Sequence, residues 1–202
     1  MNKNAFRSLS YGVYIISTLD GERTTGCVAN SVMQITSSPA TIAVSMNHDN
    51  YTNSCIKKSG KFAISILSEE SNSELIGRFG FQSGKDVDKF AEMKLTKEKA
   101  SVVSAPMIGE CPVNIECKVT EVKELGSHHM FLADVVAVHV DDTYMNENQK
   151  FELGKEEPIA YSHGEYYQLG QLLGTFGYSV KKKKNMLIHL LKHLFLTDQK
   201  YS

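Results

Sequence analysis

The sequence has little that would tie it to nucleic acid, to a lipid bilayer or to a disulfide scaffold. Its 22 lysines and arginines stand against 23 aspartates and glutamates, a formal charge of −1, so no global field draws the chain to a polyanion. No apolar run approaches the roughly 20 residues that a membrane-spanning helix needs. The four cysteines, Cys27, Cys55, Cys111 and Cys117, contain no CxxC pair. The last two lack zinc-knuckle spacing, and buried strand thiols are the simpler reading, so no metal is assigned. The opening Met-Asn-Lys-Asn lacks the charged-then-apolar pattern of an export signal, and a cytoplasmic protein is expected. Absent too are a GxGxxG turn and a Walker loop, which sets aside dinucleotide and P-loop folds.

What is there is a series of β-branched and aromatic runs broken by turn residues. GVYIIST (12–18) leads through Leu19-Asp20-Gly21-Glu22 into a second extended stretch from Thr24 to Ile35, and this reads as a hairpin. Ser37-Ser38-Pro39 ends that stretch, and TIAVSM (41–46) is a third strand. Asp49 or Asn50 caps a short helix through Lys58, with Gly60 placed as its left-handed C-terminal residue. KFAISIL (61–67) is a strand, Ser73–Phe79 a helix, and Gly80–Phe90 a polar loop. Val113–Val122 and Met130–Val140 form a long hairpin in which Glu116, Lys118, Asp134 and His139 are expected to face water. Leu169, Leu172 and Leu173 at helical spacing predict a helix over 166–176. Many strands with few helices predict a mainly β protein built on a closed antiparallel barrel.

Domain organisation is read as one domain over residues 1–180, followed by 181–202. There Lys181–Lys184 precede Leu187, Leu190, Leu191, Leu194 and Phe195, an amphipathic pattern on a basic hinge. Such a helix suits a membrane surface, a partner or its own domain, and no function is given to it.

Four places carry chemistry. Thr24–Ser31 puts small and hydroxylated residues where a strand should be apolar. Gly26 and Ala29 would let a flat ring reach the backbone, with Asn30 and Ser31 adding directed hydrogen bonds; a glycine-softened barrel corner fits the same pattern. Asn47–Ser54 sets a polar cluster at a strand–helix junction, where free N–H groups and the helix dipole favour an anion. Ser83-Gly84-Lys85-Asp86-Val87-Asp88-Lys89-Phe90 could complete a phosphate site, or be a solvated loop. His128 and His129 follow Gly126-Ser127 at a strand start. Taken together, these point to a phosphorylated planar cofactor.

The ordered set YGVYIIST, TTGCVANSVMQITSSPATIAVSM, KFAISIL, FGFQSGKDVDKF, GSHHMFLADV and YYQLGQLLGTFGYS resembles the flavin reductase-like family with the FMN-binding split β-barrel fold, from about Phe6 to Lys183. The resemblance implies a Greek-key antiparallel barrel, a homodimer, one bound FMN per barrel and NADH or NADPH as hydride source. By position, it lays Gly26, Cys27, Ala29, Asn30 and Ser31 along the flavin ring, with Met46 and Asn47 flanking the cofactor. It sets Thr52 at the phosphate and closes Ser83, Gly84, Lys85 and Lys89 around it. His128 matches the histidine of the family's Gly-Asp-His pattern near the nicotinamide. This chain has Ser127 and Ala133-Asp134 where the family often has that aspartate and a Gly-Glu pair. The implied activity is hydride transfer from NAD(P)H to flavin and on to free flavin, rubredoxin, ferric iron or oxygen. An FMN-binding electron carrier with no nicotinamide site, and a ligand-binding barrel for haem, are the rival readings.

Overall fold

The computed structural model describes residues 1–71, 73–152, 157–162 and 164–180. It divides into two compact units, Met1–Leu169 and Gly170–Ser202. In chain order the first unit holds β1 (Ser10–Gly12), β2 (Tyr14–Asp20), β3 (Arg23–Ala29), β4 (Val32–Ser37), β5 (Ala40–Asn47), α1 (Tyr51–Ser59) and β6 (Lys61–Ile66). There follow α2 (Ser73–Phe81), α3 (Lys89–Glu92), β7 (Lys97–Glu98), β8 (Met107–Ile108), β9 (Val113–Leu125), β10 (His128–Val140), β11 (Ala160–Ser162) and β12 (Glu165–Tyr167).

Seven strands make one antiparallel sheet in the order β3-β2-β6-β9-β10-β5-β4. Its two outermost strands, β3 and β4, are consecutive in the chain and joined only by Asn30 and Ser31. So short a link spans about 10 Å at most, which obliges the sheet to curl until its ends meet. The expected mainly β, split-barrel architecture is the one observed. The single stretch read over 24–35 is two strands, because Asn30 and Ser31 turn the chain from one end of the sheet to the other.

β2 shows why its sequence is apolar on successive residues. Ile16 points into the barrel beside Val44, Phe62, Ile64 and Phe131. Ile15 points outward into a second cluster with Leu75, Phe79, Phe90 and Ile108, where α2 and α3 cover the sheet. A strand covered on both faces has no polar side to show. α1 begins where the Asn50 side chain accepts the Thr52 N–H at 2.9 Å. It ends at Gly60, whose φ of 69° is left-handed and whose N–H reaches the Ile56 carbonyl, so both expected caps are present.

Two expectations are corrected. Glu116 does not face water: it is fully buried, under the segment 101–103 whose amides it binds. No helix forms over 166–176; Glu165–Tyr167 is strand β12, and Tyr178–Val180 is a 3-10 turn. Gly170 and Gly174 fall inside this stretch, and glycine is costly in a helix interior; just beyond it Gly177 has a left-handed φ of 77°. Leu172 and Leu173 are exposed at 76% and 87%. The expectation for 181–202 lies outside the described residues. Among the described residues no helix is long and apolar enough to cross a membrane, and no three His, Cys, Asp or Glu side chains gather as a metal set.

Candidate active site

Side chains alternate along β3, and the alternation divides its work. Thr24, Gly26 and Val28 face α2 and α3: the Thr24 hydroxyl donates to Asp88 Oδ1 at 2.6 Å, and Val28 packs in the outer cluster. Gly26 lies against Phe79, whose Cε1 would be 3.0 Å from an added Cβ, so the ring that needs this glycine belongs to the chain itself. Thr25, Cys27 and Ala29 face the other way. Thr25 Oγ1 lies 3.1 Å from Thr52 Oγ1 in the first turn of α1, and Cys27 and Ala29 pack at the barrel core.

The loop after α2 closes on this pair. A Cβ at Gly84 would fall 2.1 Å from Thr25 Oγ1 and 3.5 Å from the Tyr51 ring, so only glycine lets the loop come so near. Tyr51 is itself held by its hydroxyl on Asp20 Oδ2 at 2.6 Å. The Arg23 guanidinium donates to the carbonyls of Gly84 and Lys85 at 2.5 and 2.7 Å, while Ser83 Oγ accepts the Lys85 N–H. Gly84→Ala should force this loop off β3 and cost about 1–3 kcal/mol, to be read from urea unfolding; an unchanged midpoint would show that the loop moves freely.

Lys89 is the unusual member. Its side chain is buried, with the residue 2% exposed. Among the described residues its ammonium makes one hydrogen bond, to the Gln82 carbonyl at 2.7 Å, and it sits 5.0 Å over the Phe79 ring. Among the described residues no carboxylate pairs with it. Burial pulls its pKa down, and the Cys27 thiol is the other group that it senses. Burial pushes Cys27 up to about 11, against smaller opposing effects of Lys89, Thr52 and Asn50; the thiol stays protonated and is no nucleophile. Thus Thr25, Thr52 and Gly84 meet at the N-terminus of α1, with Cys27 beside them and Lys89 near enough to act on its thiol.

The other predicted residues fall around it. Met46 is core and Asn47 is exposed at the end of β5. His128 pairs across the sheet with Asn47, and its Nδ1 lies 2.8 Å from Ser127 Oγ. Ala29 and Asn30 border a cavity of about 250 Å³ with Ile76, Phe81, Tyr161 and Tyr166. Ser31 lines a separate apolar hollow of about 160 Å³ with Tyr11, Met33 and Met130. Lys85 is exposed. From Thr25 to Asn30 the chain rises about 16 Å at ~3.3 Å per residue, and the aromatic cavity lies on the Val28 side of β3, opposite the face that carries Thr25 and Cys27. A cavity of about 340 Å³ beside Val113, Val138, Phe151 and Pro158 has an almost wholly apolar lining, with little to orient a polar substrate.

The family comparison decides what kind of site this is, since the Flavin reductase like domain matches residues 6–170. This chain belongs to the flavin reductase-like family. It is 37% identical over 141 residues to a ferric-chelate reductase (NAD(P)H) of Archaeoglobus fulgidus, covering 69% of this chain and 82% of that protein. It is 36% identical over 170 residues to a high molecular weight rubredoxin of Moorella thermoacetica, covering 84% and 67%. The flavoredoxin of Desulfovibrio vulgaris (Miyazaki F) superposes with a TM-score of 0.78 at 29% identity, over 85% of this chain and 93% of that one. As a flavin reductase-like protein, it brings together here a buried ammonium, two facing threonine hydroxyls and the start of a helix. Thr25, Asn53 and Asp88 lie inside the three segments that the sequence marks as polar clusters, without a role of their own there; Arg23 lies outside them and carries no sequence signal.

Proposed function

We propose that this protein is an FMN-dependent oxidoreductase that takes hydride from NADH or NADPH. The observation that carries the reading is Lys89, a buried cation that no carboxylate among the described residues pairs with. Holding an unpaired ammonium out of water is unfavourable, and a phosphate between Lys89, Thr25, Thr52 and the α1 N-terminus would supply the missing charge. With the phosphate there, the ring would run along β3 toward Ala29 and Asn30.

The flavin would supply the redox chemistry itself. The chain's part is to bind and orient. Arg23 and Asp88 clamp the loop 83–88 to β3 from both ends, Ser83 and Lys85 are available at its rim, and Asn47 and His128 sit side by side at the end of β5. His128, with Nδ1 engaged by Ser127, would present Nε2 to the nicotinamide or to developing charge. The rubredoxin and ferric-chelate reductase relatives support a small electron-transfer protein or chelated iron as acceptor. A homodimer has a place to form at β4, hydrogen-bonded to one neighbour only, where Met33 and Ile35 are 55% and 49% exposed.

FMN titrated into the protein should quench its fluorescence and saturate at one per chain, and anaerobic NADH or NADPH should then bleach the visible flavin band. Failure to bind FMN overturns the reading; binding without bleaching by either nucleotide leaves an electron carrier that depends on a separate reductase.

A further inference from the structure

The histidine beside His128 is tied into the fold by a network that fixes its protonation. Asn53, in the first turn of α1, is 1% exposed. Its Nδ2 donates to the carbonyls of Met46 and Asn47, both at 3.1 Å. Both amide hydrogens are therefore used, and the opposite amide orientation would set oxygen against two carbonyl oxygens. Asn53 Oδ1 must then accept, and what lies 2.8 Å away is His129 Nδ1. That nitrogen carries the proton, so neutral His129 is bare at Nε2.

The His129 side chain is 16% exposed, and Nε2 is 3.9 Å from Glu124 Oε1, a carboxylate already held by Lys57 at 2.7 Å. The His48 ring is centred 6.2 Å away and leans on Asp49. On the strand, His129 is the cross-strand neighbour of Met46, as His128 is of Asn47.

We infer that His129 is a positioning residue: through Asn53 it locks the β5–α1 junction, Met46 to Thr52, to the hairpin turn that presents His128. This rests on the flavin reading proposed above. It acts on the cofactor through backbone carbonyls and the first turn of α1, with no contact of its own required.

The test compares three full-length chains with FMN as the probe. His129→Leu removes the donor and should weaken FMN about tenfold, the loss of one buried hydrogen bond. His129→Asn, whose Nδ2 reaches the place of the histidine Nδ1, should return affinity to within about threefold of the parent. Nitrogen-15 NMR of the parent should show His129 protonated at Nδ1 and bare at Nε2. An Nε2–H tautomer, or Leu and Asn variants that bind FMN alike, overturns the inference while leaving the flavin reading intact. A parent that binds no FMN overturns the flavin reading, and the tautomer measurement still decides whether the Asn53–His129 lock exists.

Discussion

Lys89→Met is expected to leave the flavin-free chain at least as stable as its parent while weakening FMN binding by about 10- to 100-fold. The two effects have opposite origins in one group. In the free chain the ammonium is buried and, among the described residues, has a single hydrogen bond, to Gln82, and no carboxylate. Removing that bond costs about 1 kcal/mol, whereas removing a poorly compensated ion from the interior relieves a penalty of several kcal/mol. Methionine keeps the length and the contact with Phe79. In the bound state the balance reverses, because a charged hydrogen bond to phosphate contributes about 1.5–3 kcal/mol. Burial holds the Lys89 pKa below its ordinary 10.5, so the unfolded chain binds this proton more tightly. The free parent should therefore gain stability relative to Lys89→Met as pH rises through the Lys89 titration. Thermal unfolding with and without FMN checks both halves; a variant that melts lower yet binds FMN as well as the parent would make Lys89 a purely structural residue.

Glu116→Leu should be the most destabilising single change away from the site, by about 3–5 kcal/mol in urea or thermal unfolding. Its carboxylate accepts the amides of Ser101, Val102 and Val103 at 2.6, 2.8 and 2.6 Å. It also accepts the Ser101 hydroxyl at 2.8 Å, and His139 Nε2 lies 2.6 Å from it. Burial alone would raise this acid's pKa; the hydrogen bonds, led by the Val103 amide, outweigh it and hold it at about 2. A carboxyl depressed from 4.5 stabilises the fold above its unfolded pKa by about 3 kcal/mol. That stability is lost as pH falls from about 4.5 toward 2, and the parent's acid transition should show it where the variant's does not. Serine, histidine and glutamate together invite comparison with a hydrolase triad. Here both partners converge on the same histidine nitrogen and the serine donates to the glutamate, so no base is aimed at the hydroxyl.

Much of the barrel was legible in the sequence because its signals are local. The Asp20-Gly21 turn, the caps at Asn50 and Gly60, and the alternation of β9 and β10 each depend on residues close in the chain. What was not legible depends on partners far away in it. Glu116 looks like any solvent-facing strand residue until the segment 101–103 folds over it. Gly26 reads as room for a ligand, yet Phe79, some fifty residues later, fills that room. The leucines of 166–176 have helical spacing, but Gly170 and Gly174 fall among them and Leu172 and Leu173 are exposed. At the candidate site the sequence indicated which segments meet, namely β3, the start of α1 and the lysine loop. It did not show that Arg23 and Asp88 pin the loop, or that His129 reaches Asn53, since such side-chain geometry has no periodicity to betray it.

The link at Asn30–Ser31 has an evolutionary corollary. Hairpin tips such as Gly21 and Gly126 can absorb extra residues at small entropic cost, but a longer bridge between β3 and β4 would loosen the barrel's seam. Length variation among relatives should therefore collect at those tips and spare this seam, which also borders the cavity where substrates would meet.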